Sequence, residues 1–502
     1  HSSNVDGYSP CSAKPIPNST NMTMPLGMRM VLAWLCAAPV AVERVTSKEA
    51  WTTTELPNVR HGGGCDHPVL HTRDNATRKP HGTIFVNDKS KGISWLLALE
   101  AKKSLAVDLP YAGGNHEGRI NPDGVHIAIP HYETAGPGST EGGGVQGSEV
   151  SLLNLDSGFA EVAPGAPSPL CDARPHDAAW TPSGRLLVTA QLKNAVTDFG
   201  KVLDRSMTKV ATGIHIPLPC QTPHLLANIP GTELVVSGCR CSNPDTTDCT
   251  SALAVVDAAH GTARAIEIQD ATWTEAITVT EEGDVWVGGL KSHNVFVFGF
   301  QGQDKTPENL KLVATVSNIP NPLRMAYDKV TKRVGVASLD LNAALDRSKA
   351  WNENKPPAWD GQQGEVNFRI FDASTRALQR EVSLHTRERG LVNMEGLFAA
   401  DGFFVTGGFD TAAMVLVDAE SGQVAAEVYF DPCSSLPAGF CEKVYMSNSD
   451  TAKANGSGGY NNWSGGYCPA HMRTPNDRRF MVMDGFGWSA KKPSWAQNKL
   501  IE

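Results

Sequence analysis

The motif Asn115-His116-Glu117-Gly118-Arg119-Ile120-Asn121-Pro122-Asp123-Gly124 returns in altered form along most of the chain, and this recurrence limits the fold more than any other feature. A polar residue opens a short apolar run, and a Pro/Asp/Gly turn closes it. Arg174-Pro175-His176-Asp177 leads to Pro182-Ser183-Gly184 with His in the same place, and Thr222-Pro223-His224 leads to Pro230-Gly231. Trp273-Thr274-Glu275 precedes Glu282-Gly283 and Asn393-Met394-Glu395 precedes Asp401-Gly402, so that an acid replaces the His. Units of roughly 45 to 60 residues, each opening with a strand and a tight turn, predict an all-β chain folded as a single β-propeller.

Seven units follow directly, at 66–113, 115–167, 174–218, 222–269, 273–319, 322–387 and 393–430. An eighth opening stands at Pro469-Ala470-His471, followed by Arg479-Phe480-Met481-Val482-Met483-Asp484, with no outer strands after it. The apolar runs within 26–46 look like an outer hairpin lacking its inner strands. Joining the two removes both exposed edges. The expectation is eight blades, the closing one made from 26–46 plus 468–490, with seven blades as the alternative. Residues 1–25 read as a surface arm, 431–468 as a lid-like insertion and 491–502 as a tail. Residues 28–41 show the cation, apolar run and small residues of a leader peptide. That run is too short to span a membrane, and it is read as strand.

A net charge of −9 with no offsetting basic patch argues against nucleic acid as a partner. Eleven cysteines beside Asn-x-Ser/Thr sequons at Asn18, Asn21, Asn75, Asn455 and Asn462 predict a secreted, extracellular chain carrying N-linked glycans. Five disulfides and one odd thiol is the simplest arithmetic. Cys433 and Cys441 are spaced for a local bridge. Cys239, Cys241 and Cys249 crowd one loop, where disulfides are favoured over a metal.

In a four-stranded blade the first residues of the innermost strand sit at one mouth of the central channel. The residues expected there are His71 or His67, His116, His176, His224, Glu275, Arg324, Glu395 and His471. Imidazoles converging from adjacent strands suit a transition metal, copper or iron first, with zinc or calcium possible. His71, His116, His176, His224 and His471 are the candidate ligands. Glu275, Glu395 and Arg324 face them as candidate catalytic residues for proton transfer and for holding a small-molecule or anionic substrate. Glu117 and Asp177 either orient imidazoles or are solvated turn residues. Long insertions at 134–148, 240–250, 341–364 and 431–468 fall on the same mouth, as binding loops on a rigid scaffold do.

Strand-turn units such as Thr181-Pro182-Ser183-Gly184-Arg185-Leu186-Leu187-Val188-Thr189 and Met414-Val415-Leu416-Val417-Asp418-Ala419-Glu420-Ser421-Gly422 resemble the YVTN/lactonase-type propeller repeat over nearly the whole chain. That resemblance implies fold, not activity. A looser similarity runs to His-lined metal propellers: nitrous-oxide-reductase-like copper proteins, the selenium-binding/methanethiol oxidase group and carotenoid cleavage oxygenases. Cys-x-x-Cys-His, Gly-x-Ser-x-Gly and P-loop motifs are absent. Three function classes follow. The first is a secreted copper or iron oxidoreductase, the second a metal-assisted lactonase or polysaccharide lyase, and the third a non-catalytic propeller that binds protein or glycan.

Overall fold

The computed structural model describes residues 50–59, 68–88, 93–110, 116–134, 145–163, 170, 173–203, 213–240, 250–338, 366–386, 390–391, 394–408, 413–430 and 483–497. They form seven antiparallel blades whose innermost strands are neighbours all the way round the ring. Blade one joins Met483–Ser489, innermost, to Thr83–Asp88, Ile93–Ala98 and Lys103–Asp108. Blade two runs from Arg119–Ile120 through His126–Thr134 and Val145–Asn154 to Phe159–Val162. Blades three to seven open with inner strands Pro175–Trp180, Pro223–Asn228, Thr274–Val279, Pro322–Asp328 and Met394–Ala400.

Alternation along the second strand of each blade explains the stacking, because side chains of period two face two neighbours at once. In blade five Val285 and Val287 pack toward blade four, and Trp286 between them packs toward blade six. In blade three Leu186 and Val188 face blade two while Leu187 faces blade four. Each of the seven gaps between blades is filled by one such apolar cluster. These strands are therefore apolar on both faces.

The expectation of eight blades is corrected to seven. Met483–Ser489 pairs with Thr83–Asp88 and lies between the inner strands of blades seven and two, leaving no place for another blade. Both chain ends do share the closing blade, but the C-terminal side supplies one strand and the N-terminal side three. Residues 26–46 and 468–482 lie outside the described residues. The first sequence unit also divides differently: Val69–Arg73 does not open a blade but pairs outside blade seven with Val424–Tyr429, and Trp51–Glu55 pairs outside it in turn.

Further bonds fasten this seam. Ser104 on the outer strand of blade one donates its N–H to Pro57 O at 2.9 Å and its hydroxyl to Leu56 O at 2.7 Å. After the closing strand, the short helix Ser494–Gln497 docks on blade two, where Trp495 Nε1 donates to Leu155 O at 2.9 Å. Among the described residues no helix is long and apolar enough to cross a membrane. Asn75 is exposed, in the turn after Val69–Arg73, and the other four sequons lie outside the described residues.

Candidate active site at the channel mouth

One backbone device repeats where the chain enters the channel. The residue before the inner strand is left-handed in four successive blades: Arg174 (φ 56°), Thr222 (φ 55°), Trp273 (φ 62°) and Asn321 (φ 39°). Such a conformation is strained for a β-branched Thr or a bulky Trp and persists only where the surroundings impose it. A register shift follows at once, between Pro175 and Ala178, Pro223 and Leu226, Thr274 and Ala276, Pro322 and Arg324, and Met394 and Gly396. Bulges of this kind re-aim side chains. The residue two places after the left-handed one is His176, His224, Glu275 or Leu323.

That alignment corrects one expectation: Leu323 holds the repeat position in blade six, and Arg324 stands one residue beyond it. Glu395 is on the inner strand of blade seven, within its register shift. His71 leaves the channel altogether. It sits on the strand added outside blade seven, with Nδ1 3.0 Å from Thr53 Oγ1 and its ring edge-on to Tyr429. His67 and His471 lie outside the described residues, as do most of the four long insertions; the described strands flanking those insertions end at this mouth.

His116, His176 and His224 do come together. They are fully buried, and the ring centroids of His116 and His176, and of His176 and His224, are each 3.8 Å apart. Tyr132 packs against His116 at 5.2 Å and edge-on to His176 at 5.1 Å, and its hydroxyl donates to Gln191 Oε1 at 3.1 Å. The first of the three is set by blade one: Asn87 Nδ2 donates to His116 O at 2.7 Å. Gly485 of the closing strand passes so near that an added Cβ would lie 3.1 Å from the same carbonyl.

Beside the imidazoles runs a buried chain of alternating charge drawn from five blades. Asp177 accepts Nε and Nη2 of Arg119, both at 2.9 Å. Arg119 Nη2 is 3.9 Å from Glu117, and Glu117 is 3.0 Å from Arg324 Nε. The latter contact crosses the channel from blade two to blade six. Arg324 Nη1 is 3.7 Å from Glu275, whose carboxylate accepts Nη2 of Arg240 at 2.7 Å and its Nε at 2.9 Å. Three guanidiniums face three carboxylates, so the chain is internally neutral, which is what makes burial of five of these groups, all but the half-buried Arg119, tolerable. Burial alone would lower the Arg119 guanidinium, but Asp177 and Glu117 outweigh it and raise its pKa above the ordinary value. Burial in turn pushes the Asp177 carboxyl up, against the pull of Arg119 and of two backbone N–H groups.

Arg240 also settles the state of His224. Its Nη2 lies 2.7 Å from His224 Nε2, and a guanidinium only donates, so Nε2 is an acceptor. His224 Nδ1 lies 3.1 Å from the Glu275 carbonyl oxygen, which only accepts, so Nδ1 carries the hydrogen. His224 is therefore a neutral imidazole with a fixed tautomer, and its 3.4 Å approach to the Glu275 carboxylate is no ion pair. The same contacts test a metal against these residues. An ion about 2.0–2.1 Å from an imidazole nitrogen lies about 3.2 Å from the ring centre, and two such rings at a tetrahedral angle stand about 5 Å apart. Rings at 3.8 Å, with the Nε2 lone pair of His224 directed at Arg240, do not fit three-His ligation of one ion in this arrangement. Among the described residues no group of three or more His, Cys, Asp or Glu side chains is arranged to hold a metal.

Glu117 and Asp177 are buried rather than solvated turn residues, and both contact arginines. Sequence reading missed Arg119, Arg240 and Tyr132. Arg240 was detectable in principle, because it directly follows the second strand of blade four, and that strand end lies opposite the start of the inner strand, Pro223 against Cys239. At the rim Arg174 lies over the Tyr132 ring at 4.5 Å, and Lys291 lies over Trp273 at 4.3 Å.

No family model and no curated protein matches the chain. Among solved structures it is similar to a streptogramin B lyase, at 10% identity and TM-score 0.42, with 68% of this chain and 87% of that one covered. Virginiamycin B lyase from Staphylococcus aureus gives 10% identity and TM-score 0.45, covering 76% and 99%. Hydrazine synthase of Kuenenia stuttgartiensis gives 14% and 0.44, covering 62% and 78%. At this level of identity the likeness concerns fold alone. The strands, their order and their seven apolar interfaces make the chain a seven-bladed β-propeller.

Proposed function

We propose that the protein is an enzyme that moves a proton on a small anionic molecule at this mouth, in a hydrolase- or lyase-type reaction. One observation carries the reading: three closely packed, mutually tilted imidazoles and a neutral Arg/carboxylate chain converge there from five different blades. His176, the middle ring, is the general base, taking a proton from water or from carbon; His224, held neutral, borders it. Arg324 lies where negative charge develops, and a preorganised guanidinium in a site screened from water stabilises such charge well. Arg174 and Lys291 at the rim favour an anionic substrate. A positioned base typically contributes about 10²- to 10⁴-fold. Turnover of a panel of lactones, carboxylate esters and uronate oligosaccharides should therefore fall by about that factor in His176→Gln, with circular dichroism unchanged. No turnover of any of these by the native protein, or equal turnover by the variant, refutes the reading.

A metalloenzyme is the second reading, with copper or iron as the favoured ion. It is supported by the recurrence of His at the mouth of blades two, three and four. It requires the rings to part and Arg240 to release His224. Elemental analysis of native protein separates the two readings: a stoichiometric transition metal that is lost in His176→Gln favours the second.

A further inference from the structure

The disulfide Cys220–Cys239 lies against the site without belonging to it. Cys220 stands two residues before the left-handed Thr222, and Cys239 ends the second strand of blade four, one residue before Arg240. The bond spans 19 residues, so the loop it closes contains the whole inner strand that carries His224. On one side Arg240 donates its N–H to Thr222 O at 3.2 Å. On the other, Ser251 Oγ donates to Arg240 O at 2.8 Å and Thr274 Oγ1 to Cys239 O at 2.7 Å. The backbone on either side of this guanidinium is thus tied both to a strained residue and to blade five.

We infer that Arg240 is a positioning residue that fixes His224 as the neutral Nδ1–H tautomer, and that the Cys220–Cys239 bond is its brace, which makes the site responsive to thiols. Thr222 is β-branched and left-handed, a conformation that survives only where neighbours impose it. The disulfide is the covalent part of that constraint. When it opens, Thr222 relaxes, the Thr222 to Arg240 bond lengthens, and the fork on Glu275 and His224 is lost. Cys220 is half-buried and Cys239 fully buried, so attack comes at Cys220 Sγ. A thiolate of a dithiol forms a mixed disulfide with Cys220, and Cys239 leaves as thiolate and takes a proton. The second thiol of the reductant then displaces Cys220 as a thiol and closes the reductant into its own disulfide. Two electrons and two protons pass from the dithiol to the protein. In that state the Glu275 carbonyl still favours the Nδ1–H form, but Nε2 has lost the donor that kept it an acceptor.

The inference concerns the mouth proposed above as catalytic, but its primary readout does not depend on catalysis. Imidazole nitrogens of His224 are observed by NMR in the full-length protein, assigned by their disappearance in His224→Gln. They are recorded for the oxidised protein, the dithiol-reduced protein with thiols counted, Cys220→Ser/Cys239→Ser, and Arg240→Lys. Lys lacks the planar fork by which Nε and Nη2 of Arg240 grip Glu275 while Nη2 also meets His224, so it is not expected to rescue. The oxidised protein should show one Nδ1–H tautomer, and the other three should show exchange between tautomers with the propeller's circular dichroism retained. If turnover is found, reduction should lower it about 10- to 100-fold, as loss of a supporting contact typically does. An unchanged His224 spectrum with both thiols free, or in Arg240→Lys, overturns the inference. A changed spectrum in a protein that turns nothing over supports it and refutes the catalytic reading instead. Reducing the folded protein keeps the test decisive should the double Ser variant fail to fold.

Discussion

Asp177→Asn, nearly isosteric, should be almost as damaging as Asp177→Ala. The side chain is fully buried and receives four hydrogen bonds on two oxygens. Oδ1 accepts Arg119 Nε at 2.9 Å and the Ala178 N–H at 2.7 Å; Oδ2 accepts Arg119 Nη2 at 2.9 Å and the Leu226 N–H at 2.7 Å. In Asn one oxygen becomes an NH₂ group, and in either orientation it meets two donors. Breaking a buried ion pair from one side costs about 3–5 kcal/mol, and the low end applies because Arg119 is only partly buried and keeps Glu117 at 3.9 Å. Each buried N–H left without an acceptor adds about 1–3 kcal/mol, not additively. Both variants should therefore lose at least about 3 kcal/mol. An unfolding entropy of about 2.1 cal/mol/K per residue makes about 1 kcal/mol/K for a chain of 502 residues, so the melting temperature drops by about 3 °C or more. Thermal unfolding at pH 7, followed by circular dichroism at a fixed scan rate, measures it. The double variant Arg119→Met/Asp177→Asn, which removes the unmatched charge, should recover part of the loss. An Asp177→Asn protein that melts within about 1 °C of the parent would refute the assignment of a fully engaged carboxylate, since the cost then lies below about 1 kcal/mol.

Asp372, in the outer hairpin turn of blade six, is held well below the ordinary aspartate range, chiefly by the Thr375 N–H at 2.8 Å, with Ser374, the Thr375 hydroxyl and Arg333 assisting. A depressed folded-state value means that its stabilisation is fully present above the unfolded value of about 4 and is lost as pH falls toward the folded one. Asp372→Asn should accordingly flatten the fall of melting temperature below about pH 4, and an identical acid limb in parent and variant would count against it. Removing residues 483–502 takes the innermost strand from blade one and bares the edge of Thr83–Asp88, so that truncation should aggregate; a monomer with the parent's melting temperature would contradict closure by Met483–Ser489.

Blades two to seven were legible because each unit is local. A hairpin's turn residues, its period-two alternation and the polar residue opening its inner strand lie within about 50 residues of one another. The same pattern puts His116, His176, His224, Glu275 and Glu395 where inner strands open. It failed for His71, because Val69–Arg73 is an apolar β run that fits the outer edge of blade seven as well as an inner position. Arg324 stands one residue beyond the repeat position held by Leu323, yet it reaches Glu117 and Glu275 in the channel.

The sequence by itself determined that the chain is all β, built of repeated four-stranded units, and that polar residues gather where those units open. These properties rest on hydrogen bonding within hairpins and on which face of a strand is apolar. Only the tertiary structure decided that seven blades close the ring, that the C-terminal side supplies one strand of the closing blade, and that Glu117 and Asp177 are buried against arginines. It alone brought Arg240 to His224 and Arg324 across the channel to Glu117. The number of blades depends on how seven apolar interfaces pack around a common axis. The partners of a buried charge are set by how far a long guanidinium side chain reaches in a low-dielectric channel, and neither quantity is contained in local pattern.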